Sequence, residues 1–384
     1  MAGAPPPLPR YGERSLSDLV PSLLAGLKVP GAPNPLGIEP VAHVCLLVID
    51  GLGAELLREH RADAPFLAAA AGQPLTTGFP ATTAASLSSI GTGRPPGEHG
   101  LVGYTIGIPG HDRALNVLLW GSYGGGPQDL REVLRPEEVQ PQPTAFECAA
   151  AAGITVTAMG PAAHAHSGMT RAVLRGARYA PVFGLGDLAI EASSTARTSQ
   201  RSLVYAYHPD LDLIGHARGA GSAGWSAHLV HVDRLAAGLA ERLPKDTLLV
   251  VTGDHGMIDL APDQLVDVDR EPVLLHGVRL VAGEARARHV YARPGAADDV
   301  LAAWRDRLGA SMWIATREEA IGAGWFGPTV SDRVRDRIGD VVAAAFAPIG
   351  IVQRSLDPRQ ASMRGHHGSF TPEEQLVPFI AVRR

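Results

Sequence analysis

Four short apolar runs recur along the chain, and each stops at Gly, Pro or Asp: "HVCLLVID" from His43, "ITVTAMGP" from Ile154, "SLVYAYHPD" from Ser202 and "TLLVVTGDHG" from Thr247. Runs that are apolar on both faces suit strands covered by helices on each side. Between them lie helical patterns, "AELLREHRADAPFLAAAAG", "TAFECAAAAG" and "SAHLVHVDRLAAGLAERL", the last with Leu229, Val232, Leu235 and Leu239 at helical spacing. This alternation predicts an α/β fold with a doubly wound, mostly parallel sheet sandwiched by helices.

The rest of the chain sorts around that sheet. Residues 1–40 carry many prolines around one amphipathic stretch, "SLSDLVPSLLAGLKV", and read as an N-terminal arm with a short helix. Residues 41–264 are expected to form the α/β core. Beyond Asp259 the texture changes to "VDVDREPVLLHGVRLVAGEARARHVYARPG" and then helix-like "AADDVLAAWRDRLG", so 265–345 is expected to be a small inserted α+β cap. Residues 346–384 return to the core through "VPFIAVRR".

With 384 residues, 45% of them hydrophobic, the chain is long enough to bury a large core. A formal net charge of -5 with scattered basic residues gives no general pull toward nucleic acid or anionic lipid. Two cysteines, Cys45 and Cys148, provide neither a disulfide framework nor a Cys-based zinc cluster. No apolar run is long enough for a signal segment or a bilayer span, so a soluble cytoplasmic protein is expected.

In open α/β sheets ligands bind at the carboxyl ends of the strands, and there this chain places acids and histidines. Asp50 follows "CLLVI"; Asp210 and Asp212 follow "SLVYAYHP", with His216 four residues after Asp212; Asp254 and His255 follow "LLVVTG"; His366 and His367 stand in "RGHHGSF". A lone Asp after a strand is usually a cap or a turn former. Acids and histidines at four strand ends are a suitable ligand set for two adjacent zinc ions, which take nitrogen and oxygen donors. The spacing of Asp212 and His216 puts both donors on one helical turn or a tight loop. Side chains next to each other on a strand face opposite ways, so Asp254 and His255 can share a site only if the strand has ended before them.

A nucleophile is sought in "GFPATTAASLSSIGTGRPPGEHG", where Thr82 and Thr83 open a small-residue helix pattern. The bland reading is an N-cap. The functional one is a threonine at a helix N-terminus beside a metal, where backbone N–H groups receive phosphate oxygens. His99, His228 and His231 are read as structural, His164 and His166 as lining the pocket or facing solvent, and Trp225, Trp313 and Trp325 as core residues.

Taken in order, "VIDGLG", "FPATTAASLSSIGTG", "PGEHGLVGY", "PDLDLIGHARG", "TGDHGM" and "GHHGSF" resemble the type I phosphodiesterase and nucleotide pyrophosphatase family of the alkaline phosphatase superfamily. The resemblance runs from about residue 43 to the C-terminus, interrupted by the cap. It implies two divalent metal ions, most readily zinc, with Asp50, Asp254 and His255 on one and Asp212, His216 and His367 on the other. It implies Thr83, which also approaches the metals, as the nucleophile in preference to Thr82, and His367 as the ligand in preference to His366; Asp210 falls outside the set. Where many family members place a phosphate-binding asparagine, this chain has Tyr104. The implied activity is hydrolysis of a phosphodiester or pyrophosphate bond of a small nucleotide-type substrate through a covalent threonine intermediate. A phosphomonoesterase is the nearest alternative, and a non-catalytic nucleotide- or partner-binding member is the alternative from another class.

Overall fold

In the computed structural model the described residues are 4–124 and 128–384. Six strands form the main sheet: β1 (His43–Ile49), β2 (Thr155–Pro161), β3 (Arg178–Val182), β4 (Ser202–His208), β5 (Thr247–Gly253) and β10 (Ile380–Arg383). Their spatial order is β10-β5-β1-β4-β2-β3. All neighbours are parallel except β10, which runs antiparallel to β5 along the edge. β1, with β4 on one side and β5 on the other, is buried over its whole length, which is why it reads as unbroken hydrophobicity rather than alternation.

Pleating divides β1 between two cores. Cys45, Leu47 and Ile49 pack on one face with α4 (Leu185–Arg197) and α6 (Ala223–Arg242); Val44, Leu46 and Val48 pack on the other with α1 (Leu16–Gly26), α2 (Thr83–Thr92) and α3 (Ala145–Ala151). In α6 the stripe Leu229, Val232, Leu235 and Leu239 is buried against the sheet. Each such side chain contributes about 1.5–3 kcal/mol on leaving water. The expected helix over "AELLREHRADAPFLAAAAG" is instead two short ones, Ala54–Glu59 and Pro65–Ala70. Pro65 opens the second, because it lacks the N–H that a continuous helix would need there.

A second sheet lies wholly within 278–345. Its strands β6 (Val278–Glu284), β7 (Ala287–Ala292), β8 (Met312–Thr316) and β9 (Val341–Ala345) are ordered β6-β7-β9-β8, all antiparallel. Helix α7 (Ala297–Leu308) covers one face through Val300, Trp304 and Leu308. The other face shares a core with Phe79, Ala84 and Phe370 of the main body. A buried ion pair reinforces that junction: Arg286 Nη2 lies 2.7 Å from Glu374 Oε2, and Glu374 Oε1 accepts the Ser369 N–H at 2.9 Å. The turn just after His367 is thereby tied to the second sheet. No helix among the described residues is long and apolar enough to cross a membrane.

Candidate active site

The strand ends bring two groups of donors together. Asp50 follows β1; Asp254 and His255 follow β5, where the strand has already ended, and both are fully buried. Gly253 and Gly256, which flank that pair, have no left-handed backbone. A Cβ on Gly253 would stand 2.1 Å from the Leu52 carbonyl oxygen, and one on Gly256 would stand 1.9 Å from that of Glu373. Glycine is needed for close approach of neighbouring backbone.

Asp212 and His216 stand on α5 (Asp210–Arg218), one turn apart, with Oδ2 and Nε2 separated by 3.2 Å. His367 follows the short strand Gly365–His366, and its ring stacks on that of His255 with centroids 3.6 Å apart and 15° between planes. Asp50, Asp254 and His255 can bring one donor atom each within 4.8 Å of the others, and so can Asp212, His216 and His367. All six residues named from the sequence therefore meet in one place as two adjacent trios.

Hydrogen bonds orient the three imidazoles alike. His255 Nδ1 is bonded to the Gly256 carbonyl at 2.9 Å, His216 Nδ1 to that of Gly365 at 2.8 Å and His367 Nδ1 to that of Ala81 at 2.9 Å. A carbonyl only accepts, so each Nδ1 carries a proton and each Nε2 faces the site. This is how imidazole ligands are held for a metal. His366 is turned differently, its Nε2 going to the Met363 carbonyl at 3.3 Å.

Thr83 is the first residue of α2, and Thr82 stands at the N-cap position in extended backbone without a side-chain capping bond. Its Oγ1 is 3.1 Å from His255 Nε2 and 3.5 Å from Asp50 Oδ1. Tyr104 lines the same cavity; its hydroxyl accepts from Asn116 Nδ2 at 2.7 Å, leaving its own O–H free to donate.

The electrostatics ask for cations. Burial, then the charges of Asp254 and Asp212, push the Asp50 carboxyl well above its usual range, and burial also raises Asp254. In the other trio burial opposes ionisation, but contact with His216 outweighs it and holds Asp212 well below the usual carboxylate range. His216 is pushed up to about 9, the attraction of Asp212 overcoming burial. Two buried carboxylate oxygens, Asp212 Oδ1 and Asp254 Oδ2, have no hydrogen-bond partner. Buried acceptors of this kind are costly unless something positive meets them, so the donor set fits divalent metal ions.

Two cavity residues carry signals that went unread in the sequence. Tyr207 donates its hydroxyl to Asp50 Oδ2. Glu284, at the end of β6, accepts the Tyr104 N–H at 3.0 Å while its Oε1 is buried without a partner. Burial pushes this carboxyl up to about 8. Both follow the pattern that picked out Asp50, a polar group closing an apolar strand. Asn116, which holds the Tyr104 hydroxyl, sits in a two-residue strand with no such signal. His99, read as structural, bonds Ser89 Oγ and the Leu101 N–H, and His164, of its two readings, takes the one that lines the cavity.

The fold is that of the alkaline phosphatase superfamily. Within it, the chain belongs to the type I phosphodiesterase / nucleotide pyrophosphatase family, whose model matches residues 44–370. Among solved structures, human ectonucleotide pyrophosphatase/phosphodiesterase 5 superposes with a TM-score of 0.66 at 16% identity, over 88% of this chain and 87% of that one. Phosphonoacetate hydrolase from Sinorhizobium meliloti 1021 gives a TM-score of 0.65 at 18% identity, over 89% and 90%. A phosphopentomutase of Shewanella denitrificans is 30% identical over 178 residues, 45% of this chain and 42% of that enzyme. The match thus spans less than half of the curated relative.

Proposed function

We propose that this protein hydrolyses phosphodiester or pyrophosphate bonds of small nucleotide-type substrates, with Thr83 as the nucleophile and a covalent threonine intermediate. One observation carries the reading. The Thr83 hydroxyl, at the N-terminus of a ten-residue helix, stands against His255 and Asp50 of one of two adjacent donor trios, each of which has a buried carboxylate oxygen without a partner.

Asp50, Asp254 and His255 would hold one divalent ion and Asp212, His216 and His367 the other, with Thr83 approaching both; zinc suits this nitrogen and oxygen set. Bound there, the ions supply charge neutralisation and lower the pKa of the threonine hydroxyl and of water. The chain's own residues do the rest. Thr83 Oγ1 attacks phosphorus, and the bond from phosphorus to the leaving-group oxygen breaks with its electron pair on that oxygen. Water then attacks phosphorus and Thr83 departs, regaining its proton. The free N–H groups of the first turn of α2 receive phosphoryl oxygens, and the Tyr104 O–H donates to another.

The cavity, of about 510 Å³, has an apolar wall that includes Leu87, Met159, Val173 and Tyr205. Such a wall accommodates an organic substituent on phosphorus, which favours a diester over a bare monoester. Segment 265–345, which contributes Glu284 to the lining, would act as the cap that selects the leaving group. Two free cysteines, one buried and one exposed, fit a reducing cytoplasmic setting.

The test is a side-by-side rate measurement on bis-p-nitrophenyl phosphate and p-nitrophenyl phosphate with zinc present, extended to nucleotide diesters, dinucleoside polyphosphates and sugar nucleotides. Faster diester turnover that disappears in zinc-loaded Thr83→Ala supports the reading. Preference for the monoester makes the protein a phosphomonoesterase. Failure to bind metal or to turn over any substrate leaves a binding protein.

A further inference from the structure

A third cluster of donors lies outside the cavity, at the same end of the sheet but on its other face. Along β4, Leu203, Tyr205 and Tyr207 face the core on the cavity side, while Val204 and Ala206 face α6. His208 follows the second parity and meets His228 of α6. Their Nε2 atoms are 2.7 Å apart, with the rings nearly parallel at 14° and centroids 5.1 Å apart. Asp210, the first residue of α5, brings Oδ2 to 4.0 Å from the same His208 nitrogen. One donor atom from each of His208, Asp210 and His228 lies within 4.8 Å of the others, and none of the three lines the cavity.

We propose that His208, Asp210 and His228 form a third metal site, one that takes a zinc-class divalent ion through two imidazole nitrogens and one carboxylate oxygen, with water completing the shell. Two ligands about 2.0–2.1 Å from a tetrahedral zinc stand roughly 3.3 Å apart, so the rings need to separate by about 0.6 Å. The local packing permits this, since His228 is only half-buried and the Asp210 side chain is 53% exposed and can swing inward. Without an ion, one ring donates to the other, and the converging carboxylate has no ring proton within hydrogen-bonding distance. His231, one turn along α6 with its ring 6.4 Å from that of His228, is a neighbour on the solvent side.

The consequence is structural. The ion would join the end of β4, the first turn of α5 and α6, and α5 is the helix that carries Asp212 and His216. Metal at the outer position would fix the start of that helix without touching substrate.

The experiment counts zinc in three full-length proteins, wild type, His228→Ala and Asp254→Asn, each stripped with chelator, reloaded at micromolar zinc and freed of excess by gel filtration. The expected result is one zinc fewer in His228→Ala than in wild type, with kcat unchanged, and retention of that ion in catalytically dead Asp254→Asn. Loaded with cobalt(II), Asp254→Asn should show the visible absorption of tetrahedral nitrogen and oxygen sites, and adding His228→Ala should remove one ion's share of it, leaving that of the Asp212, His216 and His367 trio. Equal zinc counts in wild type and His228→Ala overturn the site and leave a plain histidine–histidine hydrogen bond. Unchanged turnover in His228→Ala shows that the variant folds; if it does not fold, Asp210→Asn takes its place with the same expectations. Because the donors lie outside the cavity, the difference in count is independent of which phosphoester the cavity hydrolyses.

Discussion

The two donor trios of the cavity contain the same residue types and are built on different electrostatics. In the inner trio, Asp50, Asp254 and His255, side-chain exposure is 6%, 0% and 0%, and two carboxyls press against each other. In the outer trio Asp212 and His216, 14% and 19% exposed, form an ion pair that balances both charges without any ion and leaves only Asp212 Oδ1 without a partner. The inner trio is thus an arrangement the fold tolerates at a cost unless a cation neutralises it, whereas the outer one is self-compensated. A cluster whose energy improves only on binding is better evidence for a ligand than one that is already at rest.

Substitution of the inner carboxylate gives the largest expected effect. Asp254→Asn should lower phosphodiester turnover by about a thousandfold or more, because it removes charge from the donor set beside Thr83. In chelator-treated protein the same change should raise Tm, since it removes a like-charge neighbour of Asp50. Asp212→Asn should do the reverse in metal-free protein, lowering stability by about 1.5–3 kcal/mol through loss of a charge-assisted bond to His216. Parallel thermal melts with and without chelator decide the matter. Equal signs for the two substitutions would break the distinction between the trios.

A pH dependence sharpens it. His216 is raised to about 9 in the folded state from an ordinary value near 6.5. The native state therefore holds this proton more tightly than the unfolded chain does. The stabilisation is fully present below about pH 6.5 and is lost as pH rises through about 9. Metal-free protein should lose Tm across that window by a few degrees. Zinc-loaded protein should not, because a bound His216 is already neutral. The two melting curves are compared at pH 6.5 and 9.5, and parallel slopes would argue against metal on the outer trio.

The sheet and five of the six ligand-type residues were legible because they obey strong local rules, whereas His367 was separated from His366 only by the family resemblance. A strand buried on both faces has to be apolar, so a polar residue at its end stands out, as Asp50 and Asp254 do. The 3.6-residue period did the same for α6 and for Asp212 with His216. Pair relations across the chain were not legible. Nothing in "AYHPDLD" shows that His208 faces a helix twenty residues later, because strand parity and helix phase must both be known to place His208 opposite His228. Glu284 escaped for a related reason. Its strand belongs to the second sheet, and only the packing of that sheet against the main body turns its end toward Tyr104.

Tyr104 gives the smallest expected effect and bears on how the two trios share a substrate. Its hydroxyl is held by Asn116, and burial pushes its pKa up to about 12, so at neutral pH it remains a donor. Tyr104→Phe keeps the ring and the backbone N–H that Glu284 accepts, and removes only the O–H. If that group donates to a non-bridging phosphoryl oxygen in the transition state, kcat/KM for a diester should fall about three- to tenfold, the worth of roughly one hydrogen bond. A hydrogen bond equally strong in ground and transition states would appear in KM alone and leave kcat unchanged. A loss in kcat places the hydroxyl at the reacting phosphorus, between the trios. No change in either constant places it with Asn116 and Glu284 in the wall that shapes the cavity.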